Sequence, residues 1–403
     1  WVNVVNNTIG VTLLSGVYRL MTCRSAERKA VAKAVEQSPF RSRTFCGRAR
    51  KQKPDPPLAK NGEAWESKVA ELAGRGLPLE ALLNFYMRLG GEVMPTYEPS
   101  IHTTNDVVRL AIIPLTSSTS SSYAEMMNKG HPVKPKKMVT HSWTNRFRDL
   151  IAAVVADALG EHNFDLAACL LSDREGAEVV MQILEAQGLL HQTYWICAFA
   201  VNQHAGICGA NPRGDKDPAT GIPHPVCSCG APKFFNDTPP LNERGASINC
   251  EMNKFDDMMA LLAHEDEGFA EVVAVDEAFQ LFSRAWCVAE LAEAQRMGMP
   301  QHLLIRDKRS MKQNKASLKG LRVQDMKASR PEDVADILAK IPDAEAFNKN
   351  LQELIFDKKS GLLTTWARAD AMQQMEQLAH VLKWSTFSHT VQAQNLVWRR
   401  WEA

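Results

Sequence analysis

No stretch of this chain is apolar over the ~18 residues that a membrane-spanning helix needs. The longest candidate, "VNVVNNTIGVTLLSGVYRLM", is interrupted by Asn, Gly, Ser and Arg, which excludes a helical membrane span. It is not a secretion signal either, because its basic residues follow the apolar run. Charge of one sign is also missing. Lys plus Arg number 47 and Asp plus Glu 46, for a net charge of +1 across 403 residues, so nothing global draws the chain to nucleic acid or to a charged membrane surface. A disulfide framework is absent: nine cysteines are an odd number with no tight pairing pattern, which favours a reducing, intracellular compartment, read here as the cytoplasm. There is no internal repeat. Because the sequence begins at Trp1, a piece of a longer product is expected, and any targeting peptide would lie outside it.

What is present is uneven. From Arg19 to Lys53 only Glu27 and Glu36 oppose a run of Arg and Lys. Such a run is either an arm for RNA or lipid headgroups or a solvated leader, and residues 1–62 are expected to be an irregular basic leader. Residues 63–115 carry helical patterns: "AWESKVAELAGRG", "LEALLNFYMRLGG" and "TTNDVVRLAIIPL", the last capped by Thr104 or Asn105 and stopped by Pro114. Residues 116–136, rich in Ser, Thr, Pro and Lys, are expected to be a linker.

After Pro135 the texture changes. "KMVTHSW", "TYWICAFAV", "FAEVVAVD" and "QHLLIRD" read as strands, apolar on both faces and separated by helical patterns. That alternation predicts an α/β domain over 137–307: a parallel sheet of four to five strands with helices on both faces. A Cys/His-rich insertion spans 202–250, and residues 308–403 are expected to form a helical C-terminal region, with Pro331 at a helix start.

The segment from Lys137 to Asp307 resembles a TIR (Toll/interleukin-1 receptor) domain in its divergent forms. "MVTHSWTNRF" supplies Met138, Thr140, His141, Asn145, Arg146 and Phe147, and "SRAWCVAEL" supplies Ser283, Trp286, Cys287, Glu290 and Leu291. There are two departures. Asn145 stands where the family has an acidic residue, and "YWICAFAVNQH" is similar instead to a strand of fungal heterokaryon-incompatibility domains. The whole chain also resembles a large set of dinoflagellate proteins, which carries no functional implication. The TIR resemblance implies a flavodoxin-like sheet and a signalling role. In members that hydrolyse NAD+, it implies that the matching glutamate, Glu290, is catalytic.

The residues allow that chemistry. Ser283 is expected to cap a helix that ends before Gly298, with Trp286, Glu290, Glu293 and Met297 on one face. A carboxylate beside an aromatic, at the rim where open α/β sheets bind ligands, can stabilise the oxocarbenium-like transition state of glycosidic cleavage. Glu290 and Trp286 are therefore the candidate catalytic residues for an NAD+ glycohydrolase, with His141, Asn145 and Arg146 as candidate contacts to NAD+. On this reading Glu290 is solvent-exposed and Glu290→Ala leaves the fold intact. The alternatives are a non-enzymatic module that self-associates or binds protein partners, and a structural subunit of a larger assembly.

The insertion holds a second candidate site. Four thiols, Cys208, Cys227, Cys229 and Cys250, with His204 or His224 as substitutes, match the four soft or borderline ligands of a structural zinc. A metal would stand in for the core that a roughly fifty-residue loop lacks. Free thiols or a redox disulfide are the competing readings.

Overall fold

In the computed structural model the described residues are 62–328, 331–339 and 341–379. The basic leader and the end of the C-terminal helical region lie outside them. The strands are β1 (Leu77–Pro78), β2 (Lys137–His141), β3 (Thr193–Ile196), β4 (Ala270–Ala274) and β5 (Gln301–Leu304). They form one sheet in the order β1-β3-β2-β4-β5. β2 pairs in parallel with both β3 and β4, β4 pairs in parallel with β5, and β1 runs antiparallel along the outer edge of β3. Order along the sheet reverses between β2 and β4, the switch point at which doubly wound sheets open a crevice beyond the strands' carboxyl ends.

The expected parallel α/β sheet is thus present, with a fifth strand drawn from the N-terminal helical region. That strand is only two residues long and contains a proline, which an edge tolerates because its outward N–H is not needed.

Both faces are covered. The pairing of Met138 with Glu271 and of Val139 with Val272 puts alternate residues on opposite faces. Val139, Val272, Ala274 and Leu304 pack into one core with α2 (Leu79–Arg88), α5 (Phe147–Ala158), α6 (Asp165–Leu170) and α7 (Arg174–Ala186). Val273 and Leu303 face α10 (Ala285–Arg296) and α13 (Ala344–Phe356). Met138 and Trp195 face α1 (Glu63–Ala73) and α9 (Phe255–Glu265). α5 is buried along its whole length, as a helix under a central strand must be.

Several local expectations change. The helix after Thr103 does not stop at Pro114. It runs over 104–116 (α3) with Val108–Ile112 wound as a π-helix, an irregularity of the kind that accommodates a missing backbone donor. Its cap is Thr103, in a capping box with Asp106. Residues 116–136 contain α4 (Tyr123–Met127), and Tyr123 lies edge-on to Phe85 and Phe199 at 5.1 and 5.5 Å. A five-residue helix is too short to show an apolar period. β3 ends at Ile196, and Cys197–Ala200 turns as a short helix, α8, because a fully buried apolar run has no periodicity to separate strand from helix.

Ser283 does not cap α10. Its hydroxyl donates to the Gln280 carbonyl, and Arg284 takes the cap position without a side-chain bond. The remaining helices are α11 (Lys308–Leu318), α12 (Pro331–Ala339) and a run over 362–379 (α14), tied to the sheet domain by the Trp366 indole donating to the His162 carbonyl at 2.6 Å.

Candidate functional sites at the switch point and in the insertion

At the switch point, β2 delivers Thr140 and His141, and the loop after it delivers Ser142 to Arg146. Glu290 comes from α10, and Glu271 from the start of β4. The Thr140 hydroxyl oxygen lies 2.6 Å from a Glu290 carboxyl oxygen and 2.7 Å from one of Glu271. A hydroxyl has one proton to donate, so it satisfies one carboxylate and must accept from the other. Burial raises the Glu271 pKa, but Glu271 also accepts from the Gln301 amide at 2.8 Å, which opposes that rise and favours its anion over that of Glu290. Glu290 is then the protonated partner. Burial, opposed by the Thr140 hydrogen bond and reinforced by Glu271, lifts its pKa from 4.5 to about 8.

Glu290 is 8% exposed, not solvated as the sequence suggested. At ~100° per residue it lies about 40° further round α10 than Trp286, enough to turn its carboxyl into the sheet. Trp286 and Glu293 stay outside, lining an apolar groove of about 670 Å³ between α10, α12 and α13.

His141 is buried, with Nδ1 3.2 Å from the Val139 carbonyl and Nε2 3.9 Å from the Cys197 thiol. Burial lowers its pKa to about 4, so it is neutral near pH 7, and burial pushes the Cys197 thiol up to about 12. Asn145 is buried with its side-chain amide nitrogen unpartnered. Arg146 is half exposed and pairs with Glu277 at 2.8 Å. His141 and Asn145 are thus placed at the carboxyl end of β2, whereas Arg146 is held in a surface ion pair. In the β4–α10 loop, Phe279 adopts φ 56°, a left-handed conformation that costs a non-glycine residue energy and recurs at ligand sites.

The insertion brings four ligand groups together, but not the four thiols. His204, Cys208, Cys227 and Cys229 place one ligand atom each within 4.8 Å of one another and could hold a metal ion. Cys208 Sγ lies 3.7 Å from Cys229 Sγ, and Cys227 Sγ lies 3.7 Å from His204 Nδ1. A tetrahedron with metal–sulfur bonds of ~2.3 Å has edges of about 3.8 Å, so the spacing suits a metal and is far too long for a disulfide. Cys250 is excluded. Its thiol faces the Asn236 side-chain oxygen at 3.5 Å, and its carbonyl is held by Lys254 at 2.6 Å. His224 is also elsewhere, 3.0 Å from Asp106.

The tautomer of His204 follows from its neighbours. Thr116 donates its hydroxyl proton to the Ile112 carbonyl at 2.8 Å, leaving a lone pair for His204 Nε2–H at 2.8 Å. Nδ1 is then an open acceptor directed at the thiols, the outer-shell arrangement typical of metal-bound imidazole. The backbone N–H of Ala231 lowers the Cys229 pKa to about 6, so one thiolate forms readily near neutrality.

Sequence reasoning missed the partners on and just before α3 that position this centre. His102 precedes the cap, and Asp106, Arg109 and Thr116 follow along α3 at intervals near one and two helical turns. His102 Nε2 meets Asp217 at 2.9 Å, and Arg109 donates to the carbonyls of Ile207 and Ala210, both at 2.8 Å. The three-to-four spacing was the available signal, but polar residues at that spacing read as a solvated face. Replacing buried Arg109 with Met should release the insertion. Hydrogen bonds to charged groups contribute ~1.5–3 kcal/mol each, so protease cleavage within 205–215 is expected to accelerate at least tenfold, and cleavage at the parental rate would refute this anchoring role.

No protein-family model, no curated protein and no solved structure matches this chain.

Proposed function

We propose that this chain is a TIR-like signalling protein that works as a non-enzymatic interaction module, with a structural zinc at His204, Cys208, Cys227 and Cys229. The observation that carries the non-enzymatic reading is the position of Glu290. Its carboxyl is buried, protonated near neutral pH and shared through Thr140 with Glu271, so it is not an anion waiting under a sugar. On the outward side of α10, Trp286 and Glu293 line the groove together with Gln295 and Arg296, beside Ile341, Phe347 and Leu354. An apolar groove with charged groups of both signs at its margin, Glu293 paired with Arg296 among them, suits a protein partner or a second copy of the chain. Zinc is preferred among metals because three thiolates and an imidazole at tetrahedral spacing match its structural sites.

Hydrolysis of NAD+ is the second reading. It is favoured by the unpartnered Asn145 amide and the strained Phe279 beside the switch point. A cationic nicotinamide riboside entering there would favour the Glu290 anion and displace its proton. Incubating the purified full chain with NAD+ while following nicotinamide release decides between the two. No release is expected, together with self-association seen by light scattering that Trp286→Ala weakens. Turnover that Glu290→Ala abolishes would reverse the assignment.

A further inference from the structure

The insertion holds a cation that the ligand set does not need. Lys233 Nζ donates to the His204 carbonyl at 2.5 Å, to the Ala231 carbonyl at 2.8 Å and to Cys208 Sγ at 3.3 Å. An ammonium group has three N–H donors, and all three are used. Two lie on the carbonyls of a ligand residue and of the residue two past a ligand, and the third lies on a ligand sulfur. Among the described residues no carboxylate forms an ion pair with it.

Space has been left for it. At Gly209, the residue after the ligand Cys208, an added Cβ would lie 3.0 Å from Lys233 Cε. That is tighter than an ordinary carbon contact, so a methyl group there would make the lysine stem give by a few tenths of an ångström.

We propose that Lys233 is the charge-balancing positioning residue of the metal centre, fixed over Cys208 by the absence of a side chain at Gly209. This inference rests on the zinc reading above. Three thiolates and a divalent ion leave a net charge of −1, which a lysine ammonium cancels, whereas a half-buried anion would otherwise be costly. The contact to Cys208 Sγ also supplies the N–H···S bond that moderates a ligand sulfur, and outer-shell partners of this kind typically change metal affinity 10–100-fold. Lys233 does not itself ligate, so its loss should weaken the centre without changing its geometry.

The test uses the full chain, zinc(II) in competition with a chelator of known affinity, and cobalt(II) as a spectroscopic probe. Lys233→Met is expected to weaken zinc binding 10–100-fold, with the tetrahedral cobalt bands and the thiolate-to-cobalt charge-transfer band of the parental protein unchanged. Cys229→Ser, by contrast, should alter those bands. Gly209→Ala keeps the charge but displaces it, and a smaller loss of several-fold is expected. Equal zinc affinity in Lys233→Met and parental protein overturns the proposal. So does a loss accompanied by changed cobalt bands, which would mean that Lys233 only shapes the loop. If Lys233→Met does not fold, the Gly209→Ala affinity decides, and a parental value there overturns it. Parental protein that binds neither metal would sink the zinc reading itself, a result distinct from these.

Discussion

Protein carrying Cys227→Ser together with Cys229→Ser is expected to retain no zinc, against about one zinc per chain in parental protein made without chelator. The structural consequence should be large but local. Structural zinc contributes on the order of 10 kcal/mol of apparent binding energy, set against ~1–2 kcal/mol to order each residue's backbone. That offsets roughly five to ten residues, so the metal secures the segment around its ligands, and His102 together with Asp106 and Arg109 of α3 holds much of the rest. Proteolysis of the double variant should therefore concentrate between His204 and Lys233, while far-ultraviolet circular dichroism stays near the parental signal. Metal-free parental protein, or a double variant that keeps its zinc, would remove the centre from consideration. Serine at Cys250 should leave zinc content unchanged, since its thiol faces Asn236.

Glu290 should make the fold less stable as pH rises through neutrality, and Glu290→Gln should abolish that loss. The folded protein holds the Glu290 proton up to about pH 8, whereas the ordinary carboxyl value is 4.5. Below 4.5 both folded and unfolded states are protonated, and the contribution is fully present. Between 4.5 and 8 the unfolded state has released the proton and the folded state has not, so stability falls with pH, then levels off once both are ionised. His141 acts in the opposite sense. Its pKa is lowered to about 4 from 6.5, so its stabilising contribution is present above 6.5 and lost as pH falls towards 4. From pH 6.5 to 8 the Glu290 contribution is expected to fall by about 2 kcal/mol at ~1.4 kcal/mol per pH unit. Cys229, lowered to about 6 from 9.0, acts in the opposite sense, so the Glu290 share is the difference between the parental protein and Glu290→Gln.

Denaturant titrations at the two ends of that window measure it. Glutamine mimics the protonated acid, since its amide can donate to the Thr140 oxygen, so its stability should lack the Glu290 loss over the same range and should exceed the parental value at pH 8.5. Glu290→Ala, which empties a buried position and leaves Thr140 short of a partner, should cost on the order of 2 kcal/mol or more. A parental protein whose pH dependence from 6.5 to 8 matches that of Glu290→Gln would rule out the shared proton.

Much of this protein was legible in its sequence. "EVVAVD" and "KMVTHSW" had to be buried parallel strands because they are apolar on both faces and followed by helical periods. Their alternation with helices fixed the α/β class. The insertion announced itself by composition, because a long loop without an apolar period must be held by something other than a core. Ligand chemistry was equally plain, but ligand identity was not. Spacing along the chain could not tell Cys250 from His204 as the fourth ligand. That choice depends on α3, almost ninety residues upstream, where Thr116 orients the imidazole.

The same limit applies to Glu290. Helical spacing put it near Trp286, yet the difference between an exposed carboxylate and a buried acid is a rotation of about 40° around the helix, together with the position of α10 against β2. Only the tertiary structure sets Thr140 and Glu271 on the sheet face beneath α10. One hydroxyl between two carboxyls then forces a proton to stay, and the side chain that reads as a catalytic anion in the sequence is held in the fold as a neutral acid.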